Sequence, residues 1–499
     1  MIHLRDYQDV LVSGARDRLR RRVRRPLIVA PTGAGKTVIA GFMQGEAAAR
    51  GQASWFTVHR REILERTAET FTDFGIDFGM VLDGYAMRPE APVQLCGVQT
   101  LVNRLDQLPR PAGVVWDEAH HIVAGDHAAI AAHVRDAWQI GVTATPERLD
   151  GEGLAPFFDE MVLGPTTGEL MRRGFLSPYR YFAPGRPDLA GMNMMALADA
   201  MGSAKLIGDA VEHWFTHAEG LQTIGFEMNR AASIASVAGF RAAGVDAAHV
   251  DGTMHRDERR ELFRAFRAGE LKYLSQVAIA GEGVDIPGAE CALLRYKSNS
   301  LTKWLQDCGR VFRPVYPAGF DAGGSTDQER VDAIGAGPKP FAVILDMGGN
   351  AFDFGMPCDD RVWSLQGAKE RRKLERVGDG LAIHTCPACY QVTPSVVRLC
   401  PGCGHEFRIE ERSAAWAAGN LFELGAGVAP AKAAAAAEKE AKRKREKDEE
   451  RGASLADLMR LAHARNAAEP GRYKDARKWA AMKVQLRQQY ARGGRRGAR

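Results

Sequence analysis

Residues 30–37 have the types and the spacing needed to bind a nucleotide phosphate. They read APTGAGKT and match the P-loop pattern, with Ala30 where the consensus has its first glycine. Small residues let backbone N–H groups surround a phosphate, and the dipole at the start of the following helix favours the same anion. Lys36 would reach the β and γ phosphates, and the Thr37 hydroxyl would bind Mg²⁺. The predicted phosphate-binding residues are Gly33, Ala34, Gly35, Lys36 and Thr37.

Two adjacent carboxylates follow an apolar segment about 80 residues further along the chain. Residues 114–116, Val-Val-Trp, lead directly into Asp117 and Glu118, which begin the sequence DEAH. A carboxylate at the end of a strand beside a P-loop holds Mg²⁺, and a second one orients the attacking water. We assign Asp117 to the first role and Glu118 to the second. The alternative is a DEAH sequence on a turn by chance, and its place directly after an apolar strand argues against that.

Alternating strands and helices are predicted to position these residues. Strands are expected where short apolar runs end in polar clusters, at residues 26–29, 54–58, 93–98, 113–116 and 139–142. This alternation is typical of a mostly parallel sheet, in which ligands lie at the carboxyl ends of the strands. A second alternating series runs from residue 223 to residue 346. We read Pro178 to Pro187 as the connection between the two lobes.

Two arginines in the second series have the chemistry to assist phosphoryl transfer. The transferred phosphoryl group spreads negative charge over its oxygens, and a guanidinium supplied across a cleft stabilises that charge. Arg310 and Arg313 lie in the segment QDCGRVFRP, residues 306–314, and either one could play this part. A surface helix rich in Gln and Arg is the alternative.

Four cysteines near the carboxyl terminus have the spacing of a zinc ribbon. They form two C-x-x-C pairs separated by ten residues, and the four are Cys386, Cys389, Cys400 and Cys403. Four thiolates complete a tetrahedral Zn²⁺ site, so His405 is not needed as a ligand. A redox pair is the alternative, but it would not need the second C-x-x-C. The other cysteines are expected to be plain buried thiols, and they are Cys96, Cys291, Cys308 and Cys358.

The positive charge of the chain is concentrated at its carboxyl end. The net charge is +5 over 499 residues, but residues 430–499 hold 20 Lys and Arg against 9 Asp and Glu, a surplus of 11. Such a tail attracts nucleic-acid phosphates, or it is a solvated extension. The arginines of residues 16–25 leave the same two alternatives open, a solvated helix face or phosphate contacts. No segment has the length and apolarity of a membrane span or a signal peptide, so a cytoplasmic protein without membrane contact is expected.

The order of these motifs resembles that of the superfamily 2 helicases. The P-loop is similar to motif I of that family, DEAH to motif II, TATP at residues 143–146 to motif III, residues 280–287 to motif V and residues 306–314 to motif VI. The resemblance implies that Gln8 reads adenine and that Asp285 belongs to the nucleotide site. It also implies a set of residues that couple hydrolysis to movement, namely His120, Thr143, Thr145 and Gln306. Residues 225–230 match motif IV only weakly.

The fold implied by this resemblance is α/β, with two tandem RecA-like domains that contain parallel sheets. The expected ranges are a helicase ATP-binding domain at 1–180, a helicase C-terminal domain at 181–365, a zinc ribbon at 380–410 and a basic tail at 411–499. Together with the ribbon, the motifs look most like RadD-type bacterial DNA-repair helicases and their phage-encoded relatives.

The expected activity is ATP hydrolysis coupled to movement on, or unwinding of, nucleic acid, with DNA expected rather than RNA. The expected cofactors are ATP, Mg²⁺ and a structural Zn²⁺. Protein partners could bind the ribbon or the tail. The alternatives are an ATP-gated clamp that does not unwind, an RNA helicase, and a motor subunit of a larger nuclease system, although the chain shows no convincing nuclease or methyltransferase residues of its own.

Overall fold

The computed structural model describes most of the chain up to residue 407 and short parts beyond it. The described residues are 3–122, 124–183, 204–277, 288–375, 383–394, 397–407, 454–468, 477–478, 480–481 and 484. The chain divides into two compact units, Met1–Glu410 and Glu411–Arg499. All the predicted nucleotide and cysteine sites fall within the range of the first unit.

A parallel sheet of seven strands forms the centre of the first lobe, with strand order β3-β4-β2-β5-β6-β1-β7. Its central strands are apolar and covered on both faces, as expected for a sheet flanked by helices. The strands are β1 Pro26–Val29, β2 Ser54–Val58, β3 Phe78–Val81, β4 Val93–Gly97, β5 Gly113–Trp116, β6 Trp138–Thr143 and β7 Glu160–Leu163. The helices of this lobe are α1 Asp6–Arg20, α2 Lys36–Ala49, α3 Arg61–Asp73, α4 Val98–Val102, α5 Ala124–His133 and α6 Thr167–Arg172.

A second parallel sheet of six strands forms the centre of the second lobe, with strand order β10-β11-β9-β12-β13-β8. Its strands are β8 Tyr179–Phe182, β9 Thr223–Glu227, β10 Ala247–Val250, β11 Tyr273–Gln276, β12 Cys291–Arg295 and β13 Ala342–Asp346. The helices in this part of the chain are α7 Ala204–Ala218, α8 Arg230–Ala242, α9 Arg256–Arg267, α10 Leu301–Gly309, α11 Asp327–Ala336, α12 Ala351–Phe354 and α13 Ala368–Glu375. Two parallel α/β lobes are therefore present, as predicted.

The predicted connection between the lobes is wrong in its first half. Tyr179–Phe182 is a strand that pairs with β13 at the edge of the second sheet. The prediction failed because proline flanks this strand and Arg180 interrupts its aromatic residues. Residues 184–203, which include the rest of the predicted connection and the methionine-rich stretch, lie outside the described residues.

Smaller differences from the sequence predictions also have simple causes. The edge strands β3 and β7 were not predicted, and both contain partly exposed residues, as expected at the edges of a sheet. Three of the four isolated cysteines are buried as predicted, but Cys358 is only partly buried.

The chain returns to the first lobe after completing the second sheet. Leu365 accepts a backbone hydrogen bond from Ala155, and Ala368 donates one to Gly151. A small antiparallel hairpin follows, formed by β14 Ile383–Thr385 and β15 Val392–Pro394. In the second unit, Leu455–Ala468 forms helix α14. Within the described part of the chain, no helix combines the length and the apolarity that crossing a membrane requires.

Candidate functional site

The P-loop connects β1 to α2 in the first lobe. Gly33 and Gly35 have positive φ angles of 87° and 78°, which glycine adopts without the steric cost that a Cβ brings. Helix α2 begins at Lys36, so its amino-terminal N–H groups face the loop. The backbone therefore has the form of an anion-binding turn followed by a helix amino terminus.

Side chains of helix α1 form hydrogen bonds to the P-loop. The Gln8 side-chain amide donates a hydrogen bond of 3.0 Å to the Ala34 carbonyl, and the Tyr7 hydroxyl donates one of 3.1 Å to the same oxygen. The Gln8 carbonyl oxygen accepts the backbone N–H of Arg5 at 3.0 Å. Gln8, which the family resemblance assigned to adenine, thus lies directly against the loop.

Asp117 and Glu118 lie at the carboxyl end of β5, next to Lys36. Burial raises the pKa of Asp117 to about 7, the charge of Glu118 adds to this, and Lys36 opposes it. Burial also acts upward on the pKa of Glu118, but the nearby charges of Lys36 and Arg310 hold it below its usual value. The carboxylate that is predicted to orient water is therefore kept ionised by its neighbours.

The backbone at Glu118 is strained. Its φ of 45° and ψ of 53° place a non-glycine residue in the left-handed region. Such a conformation costs on the order of 1–3 kcal/mol and persists only where the surrounding structure enforces it. The Asp117 carboxylate accepts the Glu118 N–H at 2.9 Å and helps to fix this turn.

The buried ring of His120 joins the two lobes. Its Nε2 lies 2.9 Å from the Gln306 side-chain nitrogen on α10, and its Nδ1 lies 3.0 Å from Thr143 Oγ1 on β6. Because the Gln306 amide donates to Nε2, the ring proton is on Nδ1 and is donated to Thr143. The Thr143 hydroxyl in turn donates to the Thr145 carbonyl at 2.8 Å. All four residues assigned to coupling therefore form one continuous chain of contacts.

The carboxyl end of α10 approaches the P-loop from the second lobe. A Cβ at Gly309 would lie 2.6 Å from the Cβ of Thr32, so only glycine permits this close approach. Arg310 follows immediately, and its charge contributes to the low pKa of Glu118. The second lobe thus brings a predicted arginine next to the predicted catalytic carboxylate.

One arginine of the first lobe, which no sequence pattern indicated, lies beside this pair. Burial lowers the pKa of Arg66, on α3, to about 10, and the charges of Arg313, Arg310 and Arg267 act in the same direction. Four guanidinium groups from two lobes are therefore close together. No local sequence signal marks Arg66, because its neighbours lie about 200 or more residues away along the chain.

Further contacts hold the two lobes together around this cleft. The Thr302 hydroxyl on α10 donates a hydrogen bond of 3.1 Å to the carbonyl of Glu147, the residue directly after TATP. Arg259 on α9 pairs with Glu62 on α3 at 2.5 Å. Asp285, which was assigned to the nucleotide site, lies outside the described residues, as does the rest of 280–287.

The four predicted cysteines form a compact cluster. Their sulfur atoms all lie within 4.8 Å of one another, with 3.7 Å between Cys386 and Cys403 and 3.5 Å between Cys389 and Cys400. Four sulfurs at the Zn–S bond length would be about 3.8 Å apart in a tetrahedron. Each C-x-x-C pair lies in a turn closed by the same backbone hydrogen bond, from Tyr390 N–H to the Cys386 carbonyl and from Gly404 N–H to the Cys400 carbonyl. The donor set and its spacing fit a closed metal site, and His405 is not part of it.

The arginines at residues 16–25 have acidic neighbours. Arg16 pairs with Glu46, Arg21 with Glu160 and Arg25 with Asp159, at 2.6, 3.0 and 2.6 Å. These contacts favour the solvated helix face over the phosphate contacts, since the carboxylates already neutralise these guanidinium groups.

Two protein families match this chain. Residues 1–148 match the res subunit of type III restriction enzymes, and residues 206–315 match the helicase conserved C-terminal domain. The matched ranges contain the P-loop and DEAH in the first case and Arg310 and Arg313 in the second.

Individual proteins are also similar to the chain. A 51.5 kDa protein of a Lactococcus phage is 27% identical over 77% of this chain and 79% of its own length. The Saccharomyces cerevisiae protein named as ATP-dependent helicase Irc3 is 25% identical over 62% of this chain and 49% of its own length. The DNA 3'-5' translocase XPB2 of Sulfurisphaera tokodaii is 22% identical over 62% of this chain and 79% of its own length. The chain thus spans about half of the yeast relative and more of the other two.

The fold is also found in solved structures. A fragment of an HsdR subunit of a type I restriction enzyme from Vibrio vulnificus superposes with a TM-score of 0.54 at 20% identity, covering 70% of this chain and 65% of that one. At this level of identity the likeness establishes the fold alone.

Proposed function

We propose that this chain, which belongs to the superfamily 2 helicases, hydrolyses ATP between its two lobes and uses the hydrolysis to move along or unwind DNA. One observation carries the proposal. His120 of the DEAH sequence contacts Gln306 of the second lobe at 2.9 Å, so the predicted hydrolysis site and the opposite lobe share a direct contact. A change at the phosphates can therefore reach the second lobe through a buried ring and an amide.

The P-loop and DEAH residues have distinct parts in this proposal. Lys36 and the backbone of the loop bind the phosphates, and Glu118 orients the attacking water. Thr37 and Asp117 provide the oxygen ligands that Mg²⁺ prefers, and a buried carboxylate with a raised pKa is a site that favours a cation. When bound, Mg²⁺ neutralises charge on the β and γ phosphates.

Arg310 and Arg313 supply positive charge from the second lobe. The proximity of Arg310 to Glu118 supports this role, since charge that develops on the phosphoryl oxygens would lie between them. Replacement of both arginines should lower ATP turnover more than ATP affinity, because the charge is needed chiefly in the transition state.

We propose zinc for the four-cysteine cluster. Thiolates in a closed tetrahedral set are typical of structural Zn²⁺, and two similar turns present them. The cluster is close to the second sheet, because the Tyr390 carbonyl accepts the N–H of Ala183 at 3.2 Å, directly after β8.

DNA is the proposed nucleic-acid substrate, and the name of the Sulfurisphaera relative, a DNA translocase, supports this. RNA and an ATP-gated clamp that does not move are the alternatives, and the narrower resemblance to RadD-type enzymes stays a prediction. Phosphate contacts alone do not distinguish these cases. The proposed domain limits are those expected from the sequence, except that β8 belongs with the second sheet.

One set of assays separates the candidates. ATP turnover is measured with single-stranded DNA, duplex DNA, forked DNA and RNA, and strand displacement is scored in the same reactions. A helicase displaces a strand from the fork, a translocase is stimulated without displacement, and a clamp binds DNA without repeated turnover. Stimulation by RNA alone would contradict the DNA assignment.

A further inference from the structure

Lys339 is a buried lysine whose ammonium group contacts no carboxylate among the described residues. It lies between α11 and β13, and the residue is only 2% exposed. Its Nζ donates hydrogen bonds to the carbonyls of Ala289, Val311 and Arg313, at 2.8, 2.6 and 2.9 Å. An ammonium group has three N–H donors, so these three bonds use all of them.

Two of the three acceptors belong to the turn that carries the predicted catalytic arginines. Helix α10 ends at Gly309, and the backbone then turns through Arg310 to Arg313. Carbonyls just beyond the end of a helix have no partner within it and must be satisfied by other groups. Lys339 satisfies those of Val311 and Arg313, and it also carries the positive charge that such carbonyls favour.

Ser177 completes the support of the same turn from the loop before β8. Its backbone N–H donates a hydrogen bond of 2.8 Å to the Phe312 carbonyl, and its hydroxyl donates one of 3.3 Å to the Arg313 carbonyl. Three successive carbonyls therefore have fixed donors, and none of these donors belongs to α10. The third acceptor of Lys339, Ala289, lies just after residues 280–287, the segment that resembles motif V.

We propose that Lys339 is a positioning residue for ATP hydrolysis, which holds the turn after α10 so that Arg310 and Arg313 point into the cleft between the lobes. The inference rests on the proposed function, because it assigns no chemistry to Lys339 itself. The hydrogen bonds of the Lys339 ammonium group go to backbone carbonyls, two of them in the turn after α10, so its removal should change turnover through the arginines. Misplacement of a catalytic group by about 1 Å costs on the order of 100-fold in rate.

The charge state of Lys339 supports the same role. Burial lowers the pKa of Lys339 to about 8, with Glu290 acting upward and Arg313 acting downward. Above that pH the neutral amine has two N–H donors for three carbonyls. Arginine stays charged at all these pH values, so Lys339→Arg keeps the positive charge at pH values where Lys339 loses it.

The test compares ATP turnover, ATP affinity and melting temperature in five variants, one of which, Lys339→Arg, serves for the pH profile. Lys339→Met should lower kcat about 10- to 100-fold while the Kd for ATP stays within about twofold. The Arg310→Ala/Arg313→Ala double variant should show the same pattern, and Lys272→Met, a lysine of the same lobe outside this turn, should resemble the wild type. Ser177→Ala, which removes one of the two bonds to the Arg313 carbonyl, should lower kcat less than Lys339→Met.

Each outcome has one meaning. Normal kcat in Lys339→Met, with turnover lost in the double arginine variant, overturns this inference and leaves the proposed function intact. Normal turnover in the double arginine variant overturns the role of the arginines and this inference with it. If Lys339→Met does not fold, the pH profiles of the wild type and Lys339→Arg decide. The kcat of the wild type should fall above about pH 8, whereas that of a folded Lys339→Arg should not; identical profiles would contradict positioning by charge.

Discussion

His120 and Gln306 are 186 residues apart in sequence, yet their side-chain nitrogens lie 2.9 Å apart in the buried space between the two lobes. The contact continues through Thr143 to the backbone of Thr145. A residue next to the predicted catalytic carboxylate is thereby connected to the helix that presents the predicted arginines. In this arrangement ATP hydrolysis and the relative position of the lobes are linked by named atoms.

Replacement of either partner should weaken this link without removing ATP binding. His120→Ala and Gln306→Ala should each lower DNA-stimulated turnover by about tenfold, and the double variant should lose little more, because residues that share one contact are not additive. The measurement is a double-mutant cycle on ATP turnover with DNA, together with nucleotide affinity. Gln94→Ala is the control, since that buried glutamine bonds only to Arg88 and Ala91 carbonyls in the described structure. Fully additive losses would show that the two side chains act separately.

The cysteine cluster should hold about one zinc per chain. Thiolate sites of this type fold together with their metal, so Cys386→Ser or a strong chelator should release the metal and unfold the ribbon. ATP binding should survive, because no cysteine of the cluster is assigned to the nucleotide site. Elemental analysis with a thiol titration checks this, and a metal-free native protein with four reactive thiols would contradict it.

Glu147 and Arg371 form a buried ion pair between the end of TATP and helix α13, with side chains 3% and 7% exposed. Arg371→Met should destabilise the protein by about 3–5 kcal/mol, because it leaves a buried carboxylate without its cation. Replacement of both by apolar residues, as Glu147→Leu/Arg371→Met, should cost less. The control is Arg148→Met, whose more exposed partner Asp150 lies 3.3 Å away; an exposed pair is worth about 1 kcal/mol or less. Equal losses of melting temperature in Arg371→Met and Arg148→Met would contradict the role of burial.

The basic tail should contribute nucleic-acid affinity and no catalysis. Most of residues 430–499 lie outside the described residues, so this prediction depends on their surplus of 11 positive charges. Truncation before Pro430 should weaken DNA binding and flatten its dependence on salt, because fewer counterions are released. Turnover at saturating DNA should be retained. An unchanged salt slope after truncation would mean that the tail charges stay in water.

Local sequence patterns were sufficient for the parts of the site that are built locally. The P-loop, DEAH and the two C-x-x-C pairs are each continuous segments, and the structure places the first two directly after buried strands and gathers the four cysteines in one cluster. The central strands were also predictable, because burial on both faces requires uninterrupted apolar runs.

The remaining features depend on contacts between distant segments. Lys339 lies in the sequence Gly-Pro-Lys-Pro, which indicates only a loop, and its function arises from three carbonyls that the fold brings to it. The strand Tyr179–Phe182 was missed because proline flanks it, and its place in the second sheet follows from pairing with the distant strand β13.

ATP hydrolysis coupled to movement on DNA is tested by the rate of hydrolysis with and without DNA in the wild type, Lys36→Ala and Glu118→Gln. DNA should raise the turnover of the wild type. Lys36→Ala should lose both ATP binding and turnover, whereas Glu118→Gln should still bind ATP but hydrolyse it at least about 100-fold more slowly, because the water is no longer oriented. Wild-type turnover in Glu118→Gln, or a wild-type rate that does not respond to DNA, would contradict ATP hydrolysis at this cleft coupled to movement on DNA.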